Sequence, residues 1–168
     1  MYQYLRSRQF GMGDRLRDEI ESGSALGQEI TPFVTKGVLI PDELMEQVLG
    51  NVFAETKESG LMFEGFPRMI GQVHMLEHAL KENELALDLM IYLNVSTDEA
   101  VRRIKERAEN GGREDDKNSE VIRTRLAIFD QESTAILDFY RQAGKLIEIN
   151  GEESIENIFD AICQEIEK

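Results

Sequence analysis

The sequence predicts an α/β domain built on a parallel sheet with helices on both faces. Three observations point there. Short apolar runs, Leu61–Phe63 and Leu87–Val95 among them, alternate with segments of helical period. The run from Leu87 to Val95 is almost continuously apolar, the pattern of a strand buried on both faces. The chain of 168 residues is 41% hydrophobic, has no repeats, and contains no linker rich in Pro, Gly or Ser, which fits one domain with a full core.

Taken in order, "YQYL" (residues 2–5) reads as a short strand. Residues 13–37 read as two short helices broken at Ser22–Gly23. Residues 41–60 read as a helix with Pro41 near its first turn and Gly60 as its stop. The strand Leu61–Phe63 follows, then a helix from Arg68 to Asn83 and the strand Leu87–Val95. Ser96-Thr97-Asp98-Glu99 is a capping box, opening a helix that runs to about Asn110. A polar loop, "GGREDDKN", leads into a long helix from Ser119 to Gln142, stopped by Gly144. The strand Lys145–Ile149 and a helix from about Glu153 complete the order.

Charge narrows the function. Asp and Glu number 33 against 19 Lys and Arg, a formal net charge of -14. Such a surface repels nucleic-acid backbones and anionic lipid, so neither partner is expected. The longest apolar runs are far short of a membrane span, and "MYQYLRSRQF" is no signal peptide. The single cysteine, Cys163, excludes an internal disulfide and suits a reducing, cytoplasmic setting; its place in "IFDAICQEI" predicts a small core residue. Arginine outnumbers lysine twelve to seven. Arginine is preferred where a planar fork grips carboxylate or phosphate, although many of these arginines have surface acids to pair with.

One corner stands out. In open α/β sheets ligands bind outside the carboxyl ends of the strands. Directly after Leu61–Phe63 come Glu64, Gly65, Pro67 and Arg68, an acid and an arginine around a tight turn that opens a helix. Gly65 permits close backbone approach, and the free N–H groups of a helix start favour an anion. A competing motif lies just beyond. "HMLEH", His74 to His78, matches the H-x-x-E-H zinc-peptidase signature, with Glu77 as base and the histidines one turn apart. Five residues without flanking pattern are a weak signal, and two exposed histidines four apart need no metal.

"GDRLRDEIESGSALGQEI", "KGVLIPDELM", "FEGFPRMIGQ", "LDLMIYLNVSTDEAVRRIKER", "GREDD", "VIRTRL" and "LIEINGEESIENIFDAI" occur in the order found in adenylate kinases. The chain resembles that family from Gly11 onward. It looks most like the short-lid bacterial type, since only "AENGG" separates Arg107 from Arg113, and one cysteine rules out a four-cysteine zinc lid.

The resemblance implies a nucleoside-monophosphate kinase transferring the γ-phosphoryl group of Mg-ATP to AMP, a cytoplasmic and monomeric enzyme with nucleotides as its partners. It places an AMP-binding helical part at about residues 14–59 and a short lid at about 108–118 of a single domain. Arg17 and Arg68 match the arginines on the AMP phosphate, with Gly65 in the intervening turn motif, and Gln72 matches the side chain that reads the adenine edge. Gly37, Leu39 and Ile40 match the segment whose backbone packs on the AMP base. Arg107, Arg113 and Arg125 match the arginines that close on the transferring group, and Asp115 and Asp116 the pair after the lid arginine. Asn150 and Gly151 match the loop near the ATP adenine, where Arg107 also belongs to the donor site. Glu64 stands where the family has Asp, and would hold magnesium through water. Positioning and charge neutralisation of this kind are what phosphoryl transfer requires.

Three departures accompany the likeness. No G-x-x-x-x-G-K-[ST] phosphate loop occurs. The family's "STGD" reads "GMGD", so Met12 replaces a hydroxyl expected to reach AMP. Glu64 is one methylene longer than the usual Asp. The strand leading into the phosphate loop is central in the family, so its absence predicts a sheet lacking its middle strand, with roughly thirty residues preceding Met1 in the full product. The alternative is a nucleotide-binding pseudo-enzyme, or a fragment, without a donor-phosphate site.

Overall fold

The structure, a computed structural model, describes residues 7–55, 60–110, 112 and 114–167. Strand β1 (Ser7–Gly11) runs into helix α1 (Met12–Glu21), followed by α2 (Ala25–Lys36) and α3 (Asp42–Ala54). Then come β2 (Gly60–Glu64), α4 (Ile70–Glu82), β3 (Met90–Asn94) and α5 (Thr97–Glu109). A short 3-10 turn, Glu114–Lys117, precedes α6 (Ser119–Gln142), β4 (Leu146–Asn150) and α7 (Ile155–Ile166).

The strands are parallel, as predicted, but they form two separate pairs. β1 lies beside β2, from Ser7 opposite Gly60 to Gly11 opposite Glu64. β3 lies beside β4, from Met90 opposite Leu146 to Asn94 opposite Asn150. Among the described residues these pairs are not hydrogen-bonded to each other, so no single continuous sheet is formed by them. The prediction that Leu87–Val95 is buried on both faces is corrected accordingly. Met90, Ile91 and Tyr92 are half-buried and Leu93 is 43% exposed, and among the described residues β3 has a hydrogen-bonded neighbour on one side only.

Other boundaries moved as well. "YQYL" lies outside the described residues, and the first described strand is Ser7–Gly11, which carries no alternating apolar pattern and is defined by its pairing with β2. Gly60 opens β2 rather than closing the preceding helix. Cys163 is half-buried on α7 rather than in the core. The break at Ser22–Gly23 is where the pattern put it. Gly23 is left-handed at φ 69°, and the Ser24 hydroxyl caps α2 by accepting from the Gly27 N–H at 2.8 Å. Gly27 is buried, and a Cβ there would lie 2.1 Å from the Glu19 carbonyl oxygen, so α1 and α2 pack backbone to backbone.

The larger core joins Met12, Ile30, Leu49, Phe53, Leu76 and Leu80, and so ties the three N-terminal helices to α4. The smaller one, Val73, Ile136 and Tyr140 with Met90 and Leu146 against them, ties α4 and α6 to the β3–β4 pair. No described helix is long and apolar enough to cross a membrane.

Candidate functional site

The parallel register brings the carboxyl ends of β1 and β2 to one edge, Gly11 opposite Glu64. Glu64 is exposed there, and its Oε2 accepts a hydrogen bond from Gln9 Nε2 at 2.8 Å. Sequence reasoning passed over Gln9. Two positions separate it from Gly11 along β1, and only the pairing register shows that its amide reaches the acid at the next strand's end. The chain turns from Gly11 straight into α1, where Met12 is 2% exposed in the core and presents no polar group to this edge. Arg17 pairs with Asp14 across the first turn, and a Cβ at Gly13 would lie 3.4 Å from its Nη1. The bare backbone at Gly13 leaves the guanidinium its room.

The turn after β2 is shaped by three residues. Gly65 is left-handed at φ 71°, and the Phe66–Pro67 peptide is cis. Gln72, 1% exposed, accepts the Arg68 backbone N–H on its Oε1 at 2.8 Å. The Arg68 side chain folds over the turn, donating from Nε to the Gly65 carbonyl at 2.7 Å. Glu64 and Arg68 therefore share one corner, held there by Gln9 and by the turn itself. Gln72 has a positioning part in that corner which its spacing alone did not reveal.

A second cluster lies between α5 and α6. Asp116, in the 3-10 turn, has a fully buried side chain that receives Arg107 in two-pronged fashion, Nε at 2.5 Å and Nη2 at 2.9 Å. Arg125 of α6 brings its Nη1 to 3.6 Å from the same carboxylate. One buried acid thus stands between two arginines in a strongly acidic protein. Gly112 closes over this grip, its N–H donating to the Arg107 carbonyl at 2.8 Å. Arg113 and the side chain of Asp115 lie outside what the structure describes.

The end of α2 reaches this cluster. Gly37 caps the helix at φ 69°, and a Cβ there would lie 3.1 Å from Arg125 Cγ. Leu39 is half-buried and Ile40 is 5% exposed in the larger core. Asn150 and Gly151 stand instead at the end of the β3–β4 pair. Gly151 is buried and donates its N–H to the Asn94 carbonyl at 2.8 Å, and Asn150 Oδ1 accepts from the Glu152 N–H at 3.1 Å. Glu152 in turn accepts from the Ser96 N–H at 3.0 Å, and the Ser96 hydroxyl first, then this backbone bond, hold its carboxyl below the usual range. The capping box is therefore only half as predicted. Ser96 caps the Glu99 N–H, but the reciprocal acid is Glu152, while Glu99 pairs with Arg102 and Arg103.

The histidine motif is ordinary surface. The His74 ring packs edge-on against Phe139 at 5.6 Å, and His78 Nε2 lies 3.4 Å from Glu82. Among the described residues no group of three or more His, Cys, Asp or Glu is placed to hold a metal ion.

A family model described as adenylate kinase matches residues 1–145. An adenylate kinase of Bacteroides fragilis is 38% identical over 156 residues, 92% of this chain and 82% of the relative. One from Leptospira biflexa is 35% identical over 159 residues, 94% and 85% of the two chains. Adenylate kinase isoenzyme 1 of Caenorhabditis elegans is 32% identical over 159 residues, 93% and 73%.

Proposed function

This chain belongs to the adenylate kinase family, and we propose that its arginine clusters serve phosphoryl transfer from Mg-ATP to AMP. The observation that carries this is the pairing of Arg107 and Arg125 on one buried carboxylate. A phosphoryl group in flight spreads negative charge over its oxygens and asks for fixed cations rather than covalent chemistry. Guanidiniums held by Asp116 lose less freedom when a nucleotide arrives than free ones would.

On the acceptor side, Arg17 and Arg68 hold the AMP phosphate at the edge where Gly11, Glu64 and Gly65 meet. Gln72 reads the adenine edge, its amide being able both to donate and to accept. The backbone of Gly37, Leu39 and Ile40 packs on the base, within the helical part at about residues 14–59. Magnesium enters with ATP as part of the substrate. Glu64 suits it as an outer contact through water, because one carboxylate fits a hydrated, hard cation better than a dedicated cage. On the donor side Arg107, Arg113, Asn150 and Gly151 contribute, the short lid at about 108–118 closing over them.

The β- and γ-phosphates of the donor need more than these residues. The family supplies a Gly-rich loop and lysine for them, and the 168 residues contain no such motif. Among the described residues β2 and β3 each have a hydrogen-bonded neighbour on one side only, which supports the reading that a further parallel strand carries that loop. The same two observations favour a second reading, that the chain by itself binds nucleotide without turning it over.

Calorimetric titration with AMP tests the acceptor site. Arg68→Ala should weaken binding about 10- to 100-fold, the worth of a two-pronged contact to a charged phosphate. Unchanged affinity would remove Arg68 from the site. Coupled measurement of ADP formation then separates kinase from binder, and turnover by these residues alone would make the Gly-rich loop dispensable.

A further inference from the structure

We propose that Gly37 is a positioning residue for Arg125. The bare backbone at the end of α2 seats the stretch of α6 from which that guanidinium extends, and so sets its reach toward a nucleotide's terminal phosphate. The inference deepens the function proposed above and rests on it for the role of Arg125.

The structure contains its own controls. Gly23, Gly37 and Gly144 have nearly the same backbone, φ 69°, 69° and 68°. A Cβ at Gly23 or at Gly144 would meet nothing within 4 Å. At Gly37 it would meet Val121 Cγ1 at 2.8 Å, Arg125 Cγ at 3.1 Å and the Val121 carbonyl at 3.2 Å. A left-handed cap is all that Gly23 and Gly144 require. It does not explain why Gly37 sits against two residues one turn apart on another helix.

Those neighbours have little freedom to yield. Val121 is 6% exposed, and its N–H is tied to the Asn118 side chain at 3.4 Å, where α6 begins. Its carbonyl belongs to the helix backbone. The yielding partner is then the Arg125 stem, or α6 as a whole. Arg125 Nη1 pairs with Asp116 Oδ1 at 3.6 Å, outside direct hydrogen-bond range, so a displacement of a few tenths of an ångström strengthens or weakens this pair. Gly37 also belongs to the segment assigned to the AMP base, so acceptor pocket and phosphoryl arginine share one contact.

The test compares Gly37→Ala, Gly23→Ala and Gly144→Ala, and adds the double variant Gly37→Ala with Val121→Ala. Gly23→Ala and Gly144→Ala should each lower the melting temperature by about 2–8 °C, because each forces alanine into the left-handed region, and Gly37→Ala should lower it further because its contact with Val121 adds to that strain. Only Gly37→Ala should weaken ADP binding, about tenfold, and shift the Nε–H resonance of Arg125 in ¹⁵N spectra. Trimming Val121 in that background should restore most of the ADP affinity even if the melting temperature falls further. The proposal is overturned if Gly37→Ala leaves ADP affinity and the Arg125 resonance unchanged, if Gly23→Ala alters them equally, or if trimming Val121 restores nothing. Wild-type protein that binds no ADP would refute the nucleotide site itself, while the Arg125 resonance would still decide the contact.

Discussion

Replacing Asp116 by Asn tests the charge cluster most directly, because the substitution keeps the shape and removes the charge. The Asp116 side chain is fully buried, while Arg107 is 44% and Arg125 23% exposed in their side chains. Removing one partner of a wholly buried ion pair costs about 3–5 kcal/mol. Here water still reaches the arginines and re-solvates them in part, which lowers the figure. Against that, Asn turns an N–H donor toward arginine donors and forfeits one of the two direct bonds, each worth about 1.5–3 kcal/mol at a charged group. The net expectation is a loss of about 2–3 kcal/mol. For a domain of this size that is a fall of about 4–12 °C in melting temperature. Asp138→Asn is the control, since Asp138 is 53% exposed and pairs with the exposed Arg141. It should cost about 0–1 kcal/mol. Urea unfolding at neutral pH followed by circular dichroism measures both. An Asp116→Asn protein no less stable than the Asp138→Asn control would refute the claim that this carboxylate organises the two arginines.

Two further substitutions probe the scaffold. The Tyr140 hydroxyl is buried without a hydrogen-bond partner among the described residues, and burial first, then the nearby Glu77, pushes its pKa up to about 12. Tyr140→Phe should therefore leave stability unchanged or raise it by up to about 1 kcal/mol, and a clear loss in urea unfolding would mean the hydroxyl has a partner. Hydrogen bonds from Arg102 and Arg103 hold the Glu99 carboxyl at about 2 against an ordinary value of 4.5. A group depressed on folding stabilises above its unfolded pKa and loses that contribution as the pH falls through the folded one. The urea-midpoint gap between wild type and Glu99→Gln should accordingly narrow from about pH 5 down to about pH 2. A gap that stays constant would assign Glu99 no ionic contribution.

The sequence by itself determined which segments are helices and that the strands are parallel. Local forces suffice for that. Ser24, Ser96 and Asn118 cap helices through bonds within a few residues, and Gly23 and Gly144 terminate helices through their own backbone angles. The turn Gly65–Arg68 was legible for the same reason, since acid, glycine, proline and arginine are neighbours in the chain. What only the tertiary structure decided depends on residues far apart in sequence. Gln9 reaches Glu64 across 55 positions, and Ser96 meets Glu152 across 56. β1, with no apolar alternation of its own, exists because β2 offers it a hydrogen-bonding edge. An Asp in a polar loop reads as solvated, and Asp116 became the buried centre of the arginine cluster only once α5 and α6 closed around it. The burial expected for β3 failed in the converse way. An apolar run states what a strand tolerates on its faces, whereas its neighbours in space decide what covers them.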